Sequence, residues 1–470
     1  MKSLKYAVLA GCLLLAGCVD EFLDRKPISN MNEKDFFQTE ADFENASIAM
    51  YNTLYTIYAS DSPMAFVGQL MSDQCYTTNT AGNVAELLDI QNVDVKVANG
   101  IIKGWWEDYY SCIFRVNKFL STLENSADIG NKAVYEGEAK FLRALYYFNM
   151  VRTWGAVPLV TKPLGIGESY EIGRTPGDQI YAQILEDLKA AVKLPAKARK
   201  KGVATQGAAY TLLGEVYLTL GDKTKAAEAL RQVYGKYTLV DYASLWDLNN
   251  KNCAESIFEV QYKGGSGNPY SRYWSHYAPV DNFGDITVWG TGYNQVTDDL
   301  WNDYEPGDPR RDISIFYNYV GEKTGKVYDV KFPAKWVDKD AEISGMTEYC
   351  DNNFIVYRYA DVLLMLSEAT GDPQYLNEVR DRAGMPLWGS AEYPTDKYPT
   401  LDRAIEHERN VELALEFHRF FDLKRTGRAV DVLNACRHKN LTVDPRKLVL
   451  PIPHDVVVQN PLLVQDEVYK

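Results

Sequence analysis

The chain has 470 residues, of which 46% are hydrophobic and 24% are charged, so its composition is that of a packed globular protein and excludes disordered, collagen-like and coiled-coil classes. Its formal net charge of -14 argues against nucleic-acid binding, because affinity for phosphate backbones needs a basic face. Aromatic residues reach 13% and include 33 Tyr, whose rings have both an apolar face and a polar group.

The N-terminus has the pattern of a secretory signal. Lys2 and Lys5 give a basic start, and the short apolar run over 6–15 is too short to span a bilayer. The ending Leu15-Ala16-Gly17-Cys18 resembles the bacterial lipobox, which implies removal of 1–17 and lipidation of Cys18. Asp20 and Glu21 follow directly and resemble the acidic surface-export signal of Bacteroidetes lipoproteins.

The cysteine pattern gives no sign of redox or metal chemistry. Of seven cysteines, Cys12 leaves with the signal and Cys18 takes lipid, which leaves an odd number, so at least one is unpaired. The sequence has no Cys-x-x-Cys pair. We therefore expect buried free thiols.

Helical periodicity recurs along most of the chain. Thr39 is a suitable N-cap for a helix over 40–59, where apolar residues recur at near-helical spacing. Further helices are predicted over 100–124, 132–153, 176–193, 205–220, 222–235, 358–370, 373–383 and 401–424.

Two of these helices resemble a tetratricopeptide pair. Leu213-Gly214-Glu215-Val216-Tyr217 matches the L-G-x-x-Y core of a first helix, and Ala226 follows Gly214 by twelve residues on the second. Small residues at both places let antiparallel helices approach closely. One pair cannot bury its own apolar face, so we expect further pairs over 132–193 and 358–383 to stack with it.

Between about 241 and 350 the helical pattern stops. Only Ser256–Tyr262 alternates like a strand, and the rest is rich in Gly, Pro and Tyr. We therefore predict a mainly α protein. A helical scaffold over about 36–240 and 355–435 would carry a loop-rich, ligand-binding insertion with little β structure.

Two loops hold candidate ligand-binding residues. Residues 264–293 are rich in rings and in glycines that prevent a regular helix, which favours an exposed aromatic surface on a rigid scaffold. Pyranose rings have flat C–H faces that stack on Trp and Tyr. The alternative is that these rings attach the loop to the helices. A second, polar loop runs over 72–99. The candidates are Tyr270, Arg272, Tyr273, Trp274, Trp289 and Tyr293 in the first loop, and Tyr76, Asn79 and Asn83 in the second.

Glu408, Glu412 and Glu416 recur every four residues and allow two interpretations. They could form a carboxylate cluster for acid–base chemistry or a metal, or a salt-bridged helix surface that packs on other helices. We favour the second, because no His-x-x-x-His accompanies them, and His407 and His418 alone do not make a metal site. No catalytic residue, cofactor or metal is predicted, although a glycosidase needs no fixed spacing between its carboxylates.

Five blocks of sequence, in order, resemble the SusD/RagB family. They are 138–148 with 154–160, 358–365, 378–384, 408–427 and 451–461. The resemblance implies a SusD-like fold built on tetratricopeptide-type helical pairs, in a single domain over 18–470. It also implies a surface-exposed outer-membrane lipoprotein that delivers oligosaccharide to a SusC-like TonB-dependent transporter, with ligand contacts from the two loop regions above.

The sequence therefore predicts a non-enzymatic, lipid-anchored protein that binds glycans at the cell surface. Two alternatives remain open at this stage. One is a secreted glycosidase. The other is a tetratricopeptide interaction scaffold, or a peptide-binding RagB-type member of the same family.

Overall fold

A computed structural model describes residues 37–79, 82–126, 129–282 and 284–470. The architecture is mainly α, as predicted, and most predicted helices agree with the observed ones within a few residues. The α-helices are α1 Glu40–Tyr51, α2 Leu54–Ile57, α3 Pro63–Ala65, α4 Val84–Gln91, α5 Gly100–Glu124, α6 Lys132–Trp154, α7 Ile166–Ser169, α8 Gly177–Ala191, α9 Gln206–Thr219, α10 Lys223–Arg231, α11 Tyr273–Tyr277, α12 Asp298–Asp303, α13 Arg310–Ser314, α14 Tyr359–Thr370, α15 Pro373–Arg382, α16 Leu401–Glu412, α17 Arg419–Arg425, α18 Ala429–Ala435 and α19 His454–Gln459.

The helix α6 forms the centre of the helical scaffold. Buried residues occur on every side of it, among them Phe141, Leu142 and Tyr146, because α5, α8 and α1 all pack against it. Its buried Arg143 is satisfied by Asp187 of α8, with 2.6 Å between Nη2 and Oδ1. The guanidinium group of Arg143 is thus paired with a carboxylate at a place that water cannot reach.

The tetratricopeptide-like pair α9–α10 packs as closely as its small residues predict. A Cβ atom added to Gly214 would lie 2.5 Å from Cδ2 of Leu230 on the facing helix. Ala226 is fully buried. Gly221, with a φ of 76°, makes the turn between the helices, and Asp222 caps α10 by accepting from the Lys225 N–H at 3.1 Å. The predicted close approach is confirmed.

The strands are short and pair two by two. The predicted strand is confirmed as β2, Ser256–Val260. It pairs antiparallel with an unpredicted strand, β10, which spans Phe354–Arg358 just before α14. β2 is buried on both faces, so it does not alternate between core and solvent. The strands are β1 Cys75–Tyr76, β2 Ser256–Val260, β3 Gln295–Val296, β4 Ile315–Phe316, β5 Tyr319–Val320, β6 Val327–Tyr328, β7 Phe332–Pro333, β8 Glu342–Ser344, β9 Thr347–Tyr349 and β10 Phe354–Arg358.

The single helix predicted over 401–424 is wrong at its centre, where the chain turns between α16 and α17. Leu415 and Phe417 adopt left-handed backbone conformations, with φ of 71° and 68°. This conformation is unfavourable for residues other than glycine because the side chain clashes with the backbone. Gln74 Oε1 accepts from the Leu415 N–H at 3.2 Å, and Gln69 Oε1 accepts from the Phe417 N–H at 3.3 Å. Two buried glutamines, distant in sequence, therefore stabilise this turn.

Candidate functional site

The two predicted ligand loops lie against each other. β1 pairs antiparallel with β3, and beyond the strands the Thr78 N–H donates to Gly292 O at 2.9 Å. Asn79 Nδ2 donates to Thr291 O at 3.1 Å. Gly292 permits this approach, because its φ is 73° and a Cβ there would lie 2.3 Å from Thr78 Oγ1. Residues 75–79 and 289–296 are referred to below as the paired loops.

Trp289 lies at the exposed start of the second of the paired loops. It is 46% exposed. On one side of Trp289, the Val288 N–H donates to Glu348 Oε1 at 2.7 Å. On the other side, the Gly290 backbone packs so closely against Pro279 that a Cβ atom added to Gly290 would lie 2.0 Å from Pro279 O. The backbone is fixed on both sides while the residue remains accessible. An exposed ring on a fixed backbone can stack on a ligand with little loss of conformational entropy.

Trp274 and Tyr273 do not lie on this surface, which corrects the prediction that they are exposed. Trp274 is 2% exposed, and its ring centroid lies 6.3 Å from that of Phe332. Tyr273 is fully buried, stacks on Trp336 at 5.2 Å between ring centroids, and donates its hydroxyl to Tyr58 O. Both lie on the short helix α11, which the sequence analysis did not predict because glycines surround it in the sequence. Their rings attach the loop to the core, as the alternative interpretation stated.

The other candidates in the two loops are accessible to different extents. Tyr293 and Tyr270 are half-buried, each with its ring edge against another aromatic ring, at 5.2 and 4.6 Å between centroids. Arg272 and Asn83 are exposed, whereas Asn79 is half-buried at the junction of the paired loops. The predicted lipidation site, Cys18, lies outside the described residues.

A second pair of rings follows β3 along the chain and was missed by the sequence analysis. Trp301 on α12 and Tyr317 after β4 lie 5.2 Å apart between ring centroids. Tyr317 is 40% exposed, and Trp301 is half-buried. Lys331 Nζ lies 4.2 Å from the Tyr317 centroid, and Arg311 Cζ lies 4.5 Å from the Trp301 centroid. These residues come from separate elements, so no local pattern could have grouped them.

Tyr76 connects the paired loops to this second pair of rings. Its ring centroid lies 3.9 Å from that of His438, whose backbone N–H donates to Asp299 Oδ2 at 3.3 Å. The adjacent Asp298 accepts from Lys331 Nζ at 2.7 Å, and this hydrogen bond lowers the pKa of Asp298. The ring surface is defined here as Tyr76, Trp289, Trp301 and Tyr317 with the polar residues beside them.

The ring surface has the chemistry needed to hold a sugar. Flat aromatic faces suit the C–H faces of pyranose rings. Charged side chains lie beside these rings (Asp298) and over one face of them (Lys331 and Arg311), where they can exchange hydrogen bonds with hydroxyl groups. Small-ligand sites use a few polar groups around apolar faces to orient a ligand.

The carboxylates of Glu408, Glu412 and Glu416 do not belong to a reactive site. All three are buried and are held by cations from other elements, which include Arg310 and Arg358. Burial opposes the ionisation of Glu412 and Glu416, but the neighbouring cations lower the pKa of both below the ordinary value. The prediction that these glutamates form salt bridges is confirmed. The cluster, however, lies in the interior and not on a helix surface.

A metal site also has no support within the part of the chain that the structure describes. There, no group of three or more His, Cys, Asp or Glu side chains is arranged to hold a metal ion. His407 instead lies between the carboxylates of Asp303 and Glu305.

Comparisons with known proteins agree with the mainly α fold and with the family resemblance of the sequence. Residues 318–469 match the model of the SusD family, and residues 21–218 match a model described as starch-binding, associating with the outer membrane. SusD-like protein P25 of Formosa agariphila is 27% identical over 95% of both chains. A laminarin-binding SusD-like protein has a TM-score of 0.80 and 28% identity over 92% of this chain and 100% of its own. Surface glycan-binding protein A from Bacteroides thetaiotaomicron has a TM-score of 0.78 and 25% identity, with 92% and 100% covered.

Proposed function

The chain belongs to the SusD/RagB family, and we propose that it is a non-enzymatic protein that binds glycans at the outer-membrane surface. Bound oligosaccharide or polysaccharide would pass to a SusC-like TonB-dependent transporter. The family model described as starch-binding and outer-membrane-associated supports both the ligand class and the location. The laminarin-binding relative of similar fold supports the ligand class independently.

One observation carries the assignment of the site: the pairing of β1 with β3. This pairing brings the two predicted loops together and leaves Trp289 exposed before β3, with the Trp301–Tyr317 pair after it. Trp301 and Tyr317 lie 5.2 Å apart between ring centroids, so a ligand longer than a monosaccharide can contact both rings of that pair. We propose that stacking on these rings, together with hydrogen bonds from their polar neighbours, is the whole binding mechanism.

Anchoring is the second part of the proposal. No helix in the described ranges is long and apolar enough to cross a membrane. Cys18 at the end of the lipobox-like segment would supply the attachment, through a lipid that holds the protein at the membrane while the globular part stays in water.

The experiment is binding calorimetry with laminarin and starch, using wild-type protein, Trp289→Ala and Tyr317→Ala. A stacked ring contributes about 1–3 kcal/mol, by analogy with bases on aromatic side chains, so each variant should bind roughly five- to hundredfold more weakly. Leu220→Ala is the control, because Leu220 is 43% exposed and lies on the helical pair. Wild-type affinity in both ring variants would reject the site, and new reducing ends in the mixture would favour the glycosidase alternative.

A further inference from the structure

A buried threonine joins the two chain segments that carry the ring surface. Thr297 lies between β3 and α12 and is fully buried. Its N–H donates to Gln74 O at 2.9 Å. Its hydroxyl donates to Asp73 O at 2.6 Å and also lies 3.2 Å from Gln74 O. Gln74 directly precedes β1, so Thr297 holds the start of the strand that ends at Tyr76.

The same threonine also begins α12. Thr297 Oγ1 accepts from the Leu300 N–H at 3.2 Å, and the Thr297 carbonyl accepts from the Trp301 N–H at 3.2 Å. Threonine is a favoured N-cap, because its side-chain oxygen satisfies an N–H group that the first helical turn leaves unpaired. A helix of six residues is not stable by itself, so the position of α12 depends on the contacts at its ends.

The segment that Thr297 binds is itself fixed to the helical scaffold. Arg419, the first residue of α17, donates from Nε and Nη2 to the two carboxylate oxygens of Asp73, at 2.8 and 2.9 Å. Both side chains are buried. A two-point contact between a guanidinium and a carboxylate fixes orientation as well as distance. The carbonyl groups that Thr297 binds therefore have a defined position relative to the scaffold.

Trp301 is the ring that depends on this connection. It lies on α12 and pairs with Tyr317, which belongs to another element, at 5.2 Å between ring centroids. We propose that Thr297 is a positioning residue of the ring surface, because its hydroxyl sets where Trp301 lies relative to the other rings. Thr297 is fully buried, so it would act without contacting the ligand. This inference rests on the proposed glycan binding at the ring surface.

The test compares variants at position 297 with a matched cap on another helix. Thr297→Val removes the hydroxyl at nearly constant volume, whereas Thr297→Ser keeps it. Thr205→Val is the control, because Thr205 is a buried N-cap of α9 whose Oγ1 accepts from the Ala208 N–H at 3.2 Å. Calorimetry with laminarin and starch measures affinity well below the melting temperature of each variant. Fluorine NMR of protein made with fluorotryptophan follows Trp301, whose signal is assigned by its loss in Trp301→Phe.

We expect Thr297→Val to shift the Trp301 signal and to weaken binding by roughly fivefold or more, the smallest effect expected from loss of a stacked ring. Thr297→Ser and Thr205→Val should bind like wild type, and Thr205→Val should leave the Trp301 signal in place. The double variant of Thr297→Val and Trp301→Ala should bind no more weakly than Trp301→Ala alone, because the threonine acts through that ring.

An unshifted Trp301 signal in Thr297→Val, or additive losses in the double variant, would overturn the inference. Equal losses of affinity in Thr297→Val and Thr205→Val would also overturn it, since they would reflect destabilisation alone. If Thr297→Val does not fold, Thr297→Ala replaces it in the same comparisons, and weakened binding by Thr297→Ser would overturn the inference independently.

Two outcomes separate this inference from the proposed function. Wild-type affinity in both Trp301→Ala and Tyr317→Ala would reject this pair of rings as part of the binding site, and the inference with it. Weakened binding in these ring variants, together with wild-type affinity in Thr297→Val, would overturn the inference alone and leave the site in place.

Discussion

Arg310 Nη1 donates to Glu412 Oε2 at 2.8 Å, and both side chains are fully buried. The same guanidinium contacts Asp308 and Glu408, while Glu412 also contacts Arg358. These pairs join α13, α16 and the start of α14 through one buried ionic cluster. A cluster of this kind cannot lose one member without leaving an uncompensated charge in the interior.

Glu412→Gln should therefore destabilise the protein by about 3–5 kcal/mol, because it leaves buried arginines without a counter-charge. Denaturant unfolding followed by circular dichroism would measure the change. The control is Glu186→Gln, since Glu186 forms an exposed pair with Lys189 at 2.6 Å, and solvent screens exposed pairs so that they contribute little to stability. Similar losses for the two variants would contradict the structural role of the cluster.

The sequence predicts the helices well because their signals are local. The N-cap Thr39, the spacing of apolar residues in α5 and the Gly214–Ala226 pair all act within a few turns. The turn at Leu415 and Phe417 has no such signal, because glutamines more than 300 positions away stabilise it. Long-range hydrogen bonds of this kind cannot be read from periodicity.

The candidate site is predicted only as a region. Ring content and glycine content mark the loop that holds Trp289, but they do not separate the exposed Trp289 from Trp274, whose burial depends on Phe332 and Phe316. Tyr317 is missed for the same reason, since its neighbour Trp301 belongs to another element. Exposure is a property of the packed structure, so composition alone could not assign it.

Gly214→Leu tests the tight helical pair. The new side chain would begin 2.5 Å from Leu230 Cδ2 and would push α9 and α10 apart, at a cost of about 3 kcal/mol. Thermal melting would measure the loss. Gly104→Leu on α5 is the control, because a Cβ there has no other atom within 4 Å. An unchanged melting temperature in Gly214→Leu would argue against the close pair.

His407 makes stability depend on pH. Its Nδ1 and Nε2 atoms lie 3.1 Å from Asp303 Oδ2 and 3.0 Å from Glu305 Oε1. Burial alone would lower the pKa of His407, but hydrogen bonds with the two carboxylates outweigh it and raise the pKa above its ordinary value of 6.5. The folded protein therefore keeps this proton at a pH where the unfolded chain has released it.

The stabilisation from His407 should be complete below about pH 6.5 and should fall as pH rises through the raised pKa of the folded state. The free energy of unfolding, measured from about pH 6 to about pH 9, should thus differ most between wild type and His407→Gln at the acidic end. The exposed His454→Gln serves as the control for removal of a histidine. A constant difference for His407→Gln would exclude the imidazolium role.

Cys18→Ala tests the anchor. The variant should lose its stable association with the outer membrane in cells that lack the transporter, because the lipid is the one strong attachment that the sequence predicts. Cys253→Ala is the control and should fractionate like wild type. Full retention of Cys18→Ala after washing would show that the lipobox-like segment does not provide the attachment.

Trp274→Ala and Trp289→Ala should affect different properties, because one ring is in the core and the other is exposed. Trp274 is 2% exposed and packs among Phe316 and Phe332, so its truncation should cost about 3–5 kcal/mol of folding free energy. Trp289 is 46% exposed, and its loss should change stability by about 0.5 kcal/mol or less while weakening glycan binding. Paired melting and calorimetry on both variants would measure the two effects. If the folded fraction of Trp274→Ala lost binding while Trp289→Ala kept it, the ligand would have to lie on the α11 side of the loop, and the assignment of the ring surface would be wrong.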